Sequence, residues 1–314
     1  MVSFRWALPL ATAILVTVAA PRRAATQQTA PESVQHGIWA ADDWRIFSEK
    51  VRWAAAERLD TLPVNLAIAH IARTFVGTPY QPGTLEQPGP EHLVIDLREL
   101  DCVTFVENVL ALAAFVRRDG ASALADSVAA MRRYEDYLRQ LRYRGGTVDG
   151  YASRLHYFTE WLRQGESAGR LRLVTGELGG SEVTEPIDFM TTHVAAYPAL
   201  QDTAALHRVR DAEIRLNSGP PRVVLPKDRI ALVADEIHDG DVIAAASTVA
   251  GLDVVHTGFA VREHGALHLL HAPLKGSTVE ISALPLAERI LGISTQSGIM
   301  VARPQPEWFQ TASR

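Results

Sequence analysis

One cysteine, Cys102, stands in a chain of 314 residues, and it limits how the chain can hold itself together. No intramolecular disulfide is available, so the fold must rest on a packed core. The composition allows one, with 47% hydrophobic and 21% charged residues. The length suits one large domain or two small ones. A net charge of −5 leaves no electrostatic footprint for nucleic acid, and no basic stripe with interleaved aromatics stands out.

The N-terminus sharpens the cysteine problem. Arg5 precedes the apolar run from Ala7 to Ala20, and Pro21-Arg22-Arg23 follows. A short basic segment, a short apolar core and small residues at its end describe a secretory signal peptide. The apolar core is shorter than the ~20 residues a membrane span needs. The sequence predicts a signal peptide over 1–25, a polar linker over 26–35, one domain over 36–306 and a tail over 307–314. The chain is then exported, periplasmic or extracellular, with no stable membrane span after cleavage. Exported proteins pair their cysteines, so a solitary Cys102 is an inert buried side chain, a partner for another chain, or a reactive group.

Its surroundings bear on that choice. Val103, Val106, Val109, Leu110, Ala113 and Val116 recur at helical spacing and predict an amphipathic helix over 102–118. Arg117 and Arg118 close it near Asp119-Gly120. Asp101 is a preferred N-cap, which puts Cys102 in the first turn. There the free N–H groups and the helix dipole favour an anion, so the position predicts a lowered thiol pKa and a ready oxyanion site.

A thiol still needs a base, and eleven histidines are available. Asp239-Gly240-Asp241 is a turn signal before the apolar run Val242 to Ala246. Two extended segments, Gly251 to Val261 and Leu267 to Ala272, flank Glu263-His264-Gly265 and predict a β-hairpin. His256 lies on the first segment, and His268 and His271 on the second. A histidine on an apolar strand serves equally well as a hydrogen-bonded core residue.

Asp101-Cys102 with Phe105, His256-Thr257-Gly258-Phe259-Ala260, Leu270-His271-Ala272, Gly240-Asp241-Val242-Ile243 and Gly77-Thr78-Pro79-Tyr80 together resemble the NlpC-type cell-wall hydrolases, which are papain-like cysteine peptidases. Leu100 to Glu107, Arg154-Leu155-His156-Tyr157-Phe158 and Phe189-Met190-Thr191 narrow the resemblance to the N-acetylmuramoyl-L-alanine amidase-like branch, over about 65–303. Val103-Thr104-Phe105 replaces the Ser-Gly-Phe of the broader group, in agreement with that branch.

The resemblance implies an α+β papain-like fold, with a helical N-terminal half packed on an antiparallel sheet and the amidase-like domain at 36–306. It implies Cys102 as nucleophile, His256 as base and His271 as the orienting group, with His268 as the fallback. It places the Tyr80 hydroxyl near the thiol; otherwise Tyr80 reads as a turn residue. Arg154, His156, Tyr157 and Thr191, with Thr192 and His193 nearby, become candidate contacts to a peptidoglycan or muropeptide substrate. The implied reaction is hydrolysis of the amide between N-acetylmuramic acid and L-alanine. A γ-D-glutamyl-diamino-acid endopeptidase with the same three groups, and a non-catalytic wall-binding module, remain alternatives.

Arg98 and Glu107 form either a supporting polar network or, for Glu107, a solvated helix face. Asp253 reads as a turn residue. Gly165-Glu166-Ser167-Ala168-Gly169 fits the G-x-S-x-G elbow, but that motif must follow a strand and open a helix, and here the order is reversed. No H-E-x-x-H is present, and His268 and His271 point to opposite sides of a strand, so no metal or other cofactor is expected. The sequence leaves the oligomeric state open.

Overall fold

The computed structural model describes residues 37–274 and 277–310; the signal peptide and linker read over 1–25 and 26–35 lie outside them. Helices α1 (Ala41–Ala56), α2 (Val64–Arg73), α3 (Cys102–Arg118), α4 (Ser127–Arg142) and α5 (Phe158–Ser167) come first. Strands β1 (Leu171–Leu173) and β2 (Ser181–Val183), helices α6 (Phe189–Thr192) and α7 (Thr203–Ser218), and β3 (Arg222–Pro226) form the middle. Then follow β4 (Val242–Ser247), β5 (Val254–Glu263), β6 (Ala266–His271), β7 (Glu280–Ile281), α8 (Leu286–Leu291) and β8 (Gln296–Pro304). Among the described residues the sheet runs β2-β3-β8-β4-β5-β6-β7, with β1 also on β8, and the pairings are antiparallel. The fold is α+β, helices against an antiparallel sheet.

The sheet is buried on both faces, which is why Val242 to Ala246 reads as an unbroken apolar run. Successive strand residues point to opposite sides. Val242, Ala244, Phe259 and Val261 therefore pack with the helices, while Ile243, Ala245, Ala260, Ile299 and Val301 pack with Leu286 and Ile290 of α8. The β5–β6 hairpin closes at Glu263 and Ala266. Its two turn residues, His264 (φ 49°) and Gly265 (φ 85°), both take the left-handed conformation that a tight two-residue turn demands.

Two expectations change here. Helix α3 occupies the predicted span, yet every residue from Thr104 to Val116 is buried, so it is a central helix rather than an amphipathic one. Its polar members are internally satisfied: Glu107 accepts from Arg142 Nε at 2.7 Å and Asn108 accepts from the Tyr134 hydroxyl at 2.5 Å. Glu107 is thus a buried ion-pair member, not a solvated face residue. The predicted tail also starts too early. Trp308 and Phe309 are buried in the main core, and Arg118 Nη1 donates to the Trp308 carbonyl at 3.1 Å. Two large aromatic side chains bury too much apolar surface to be left in solvent.

Candidate active site

Helix α3 begins on a complete cap. Asp101 accepts from the backbone N–H groups of Val103 (3.0 Å) and Thr104 (2.7 Å), while its own N–H donates to Thr104 Oγ1 at 2.9 Å. Cys102 is then the first helical residue, and its N–H is the first-turn donor that Asp101 leaves unused. The segment before it is held by backbone bonds: Leu100 N–H donates to the Pro79 carbonyl and Gln81 N–H to the Leu100 carbonyl. That pairing sets Tyr80 beside the thiol, close enough that a charge on Cys102 would raise the hydroxyl pKa, after burial has done so.

Packing fixes the helix against the sheet. Phe105, one turn into α3, meets Phe259 of β5 edge-to-face at 5.7 Å between ring centroids. His256 lies three residues before Phe259 on that strand. Across the sheet, His256 Nε2 and His271 Nδ1 of β6 share a hydrogen bond of 2.8 Å, with the rings nearly perpendicular at 87°. Gly258 permits this approach. A Cβ there would stand 2.5 Å from the Leu270 carbonyl oxygen and 2.9 Å from His271 Cβ. His268, the fallback, instead bonds through Nδ1 to the Ser282 carbonyl at 2.7 Å and takes no part in the pair.

Cys102 and His256 line one cavity of about 220 Å³, together with Leu155, His156, Tyr157, Met190 and Tyr197. Burial governs the protonation of its walls. It pushes the Cys102 thiol up to about 12, helped by the neighbouring Asp101 charge and opposed by the backbone N–H groups of Thr257, Cys102 and Val103. Burial lowers His256 to about 4, aided by the Arg289 cation, and lowers His271 further, aided by His256 and Arg289. Burial thus acts against the acidic thiol that the helix end predicts, and against a charged imidazole at His256 or His271.

The opposite wall comes from residues 151–157 and from α6 with the turn after it. Tyr157 donates its hydroxyl to Glu213 of α7 at 2.7 Å and accepts from the Met190 N–H at 2.8 Å. Thr191 donates both its N–H (3.1 Å) and its hydroxyl to the same Glu213. His156 bonds through Nε2 to the Tyr151 carbonyl at 2.9 Å, and burial lowers its pKa to about 3. Arg154 is not available to a ligand in the way its residue type suggests. Its guanidinium is held by Glu86 (2.8 Å) and Glu91 (2.9 Å) and lies over the Tyr151 ring.

Thr192 and His193 are exposed, His193 stacked on Phe189. Asp253 is no simple turn residue. It is buried and accepts from Thr159 N–H at 2.6 Å, tying the start of β5 to the start of α5. Arg98 pairs with buried Asp43 at 3.1 Å. Glu213, Tyr197, Glu280 and Arg289 have no signal in the sequence that singles them out; each reads locally as an ordinary helix, strand or loop residue.

Comparison with known proteins gives the class, an amidase-like hydrolase. Residues 70–299 match the family described as AmiA-like, N-acetylmuramoyl-L-alanine amidase-like, and the chain belongs to that family. A crystal structure of an N-acetylmuramoyl-L-alanine amidase from Bacteroides uniformis is 33% identical, covering 77% of this chain and 99% of its own, with a TM-score of 0.67. A Bacteroides fragilis structure described as a candidate xylanase is 34% identical over 74% of this chain and 98% of its own, with a TM-score of 0.66. A Legionella pneumophila protein shares the fold at 19% identity and a TM-score of 0.57, covering 83% of this chain and 95% of its own. No curated protein matches.

Proposed function

We propose that the protein is an exported cysteine amidase of the papain-like, NlpC-type branch, with one catalytic domain reaching from about residue 36 to Phe309. It hydrolyses the amide between N-acetylmuramic acid and L-alanine in peptidoglycan or its fragments. The observation that carries the reading is the His256–His271 bond of 2.8 Å beside a cavity that Cys102 also lines.

His256 spends Nε2 on His271, which leaves Nδ1 for the thiol. As the substrate enters, the Sγ proton passes to Nδ1 and Sγ attacks the lactyl carbonyl carbon, forming the C–S bond. The oxyanion is held by the Cys102 N–H at the start of α3. The C–N bond breaks, and the imidazolium returns its proton to the departing L-alanine amine. Water, deprotonated by His256, then hydrolyses the thioester and frees Cys102. Neutral resting groups fit this order: charge develops only when a dry cleft is closed by substrate, where sulfur anion and imidazolium attract each other strongly. Tyr80, His156 and Tyr157 face the substrate, while Arg154 and Thr191 hold the wall behind them.

Mass spectrometry of muropeptides digested by wild type and by Cys102→Ala tests the proposal. Intact stem peptide with a free L-alanine amine is expected from wild type, with activity down by about 10³-fold or more in the variant. L-Ala-D-Glu left on the sugar would favour the endopeptidase, and equal hydrolysis by the variant would end the thiol mechanism.

A further inference from the structure

Behind the imidazole pair stands a carboxylate that neither the family resemblance nor the cleft assigns. His271 faces Glu280 in register across β6 and β7, so the two side chains share a face of the sheet. His271 Nε2 is buried and has no hydrogen-bond partner among the described residues, and Glu280 Oε1 lies 4.0 Å from it. A buried ring nitrogen with nothing to bond costs stability unless some group compensates it. The other groups that face His271 are His256, on its Nδ1 side, and the Arg289 cation from α8.

We infer that Glu280 is a positioning residue that sets the tautomers of the His271–His256 pair and so keeps His256 Nδ1 unprotonated for the thiol. The inference rests on the proposed thiol mechanism. The chain of reasoning runs along the two rings. A carboxylate beside Nε2 of His271 favours the proton on that nitrogen, because a lone pair there would face a negative charge. His271 Nδ1 is then an acceptor. His256 must therefore donate through Nε2, which leaves its Nδ1 with a lone pair. The opposite chain, with His271 protonated on Nδ1, would leave His256 Nε2 as acceptor and its Nδ1 protonated, unable to take a proton from Cys102. Glu280 also offsets Arg289, whose cation opposes an imidazolium at either ring. Its exposed position on a strand of two residues makes it dispensable for packing.

The test compares Glu280→Ala and Glu280→Gln with wild type, on a soluble muropeptide and by 15N NMR of the histidine side chains. The expected result is a kcat lowered by about tenfold in Glu280→Ala with KM unchanged, the size set by analogy with the outer partners of metal-bound histidines. Glu280→Gln, which keeps an acceptor without the charge, falls between. At neutral pH wild-type His271 and His256 carry their protons on Nε2, and Glu280→Ala shows a mixture. A wild-type kcat in Glu280→Ala, or an unchanged His271 tautomer, overturns the inference. Cys102→Ala, assayed alongside, separates the two readings: its retaining activity would sink the thiol mechanism itself, whereas its inactivity beside a fully active Glu280→Ala would sink only the role of Glu280.

Discussion

The two walls of the cleft are built on different principles. The wall that holds Cys102 and His256 consists of α3, β5 and β6, regular elements locked into the main core by Phe105 against Phe259. The facing wall consists of short turns and the four-residue α6, carried on a separate small core of Tyr157, Met190, Leu200, Val209 and Leu216. What fixes that second wall is polar: one carboxylate, Glu213, receives Tyr157 and Thr191, and two others, Glu86 and Glu91, receive Arg154. Apolar packing places Cys102 and His256; buried hydrogen bonds shape the wall that faces them.

The sharpest test of that contrast is pH-dependent alkylation of Cys102 by iodoacetamide. A thiol pushed up to about 12 by burial is almost wholly neutral near pH 7. Its alkylation rate should therefore rise about tenfold per pH unit between about pH 7 and 10, a thousandfold in all. A rate already on a plateau at neutral pH would show a thiolate–imidazolium pair formed before substrate, and the dry first wall would be wrong.

Next in size is Phe105→Ala. It deletes the joint between α3 and β5 and should cost about 3–5 kcal/mol by denaturant unfolding, with kcat falling as Cys102 loses its register with His256. A loss under about 1 kcal/mol would mean the joint is not what positions the thiol.

The smallest effect belongs to the second wall. Glu213→Ala leaves the Tyr157 hydroxyl and the Thr191 N–H without their acceptor, at a cost of about 1–3 kcal/mol. KM should rise about tenfold with kcat within about twofold, because the reacting groups lie across the cleft. A fall in kcat at constant KM would erase the distinction between the walls.

The same contrast explains what could be read from the chain. Helix α3, its Asp101 cap and the β5–β6 hairpin were legible, since apolar spacing, a capping residue and a tight turn are local patterns. Glu213 and the Arg154 ion pairs were not, because a charged residue on a helix or loop looks the same whether it faces water or a buried partner. The pull of burial on the thiol is hidden from the sequence for a related reason. The helix-end argument uses neighbours in sequence, whereas desolvation depends on what the fold packs around the thiol, and it outweighs even the extra N–H that Thr257 of β5 supplies. Trp308 and Phe309 look like tail in the sequence, since two aromatics after Pro306 carry no period.

The central claim is an acyl-enzyme on Cys102 that holds the sugar side of the cleaved amide. It is tested most directly by acid-quenching the enzyme with muropeptide within its first turnovers and measuring intact protein mass. The account predicts an added mass equal to the muramoyl moiety without peptide, mapped to the peptide that contains Cys102 and absent from Cys102→Ala. An adduct that retains L-alanine and D-glutamate, or full turnover with no adduct on Cys102, would contradict it.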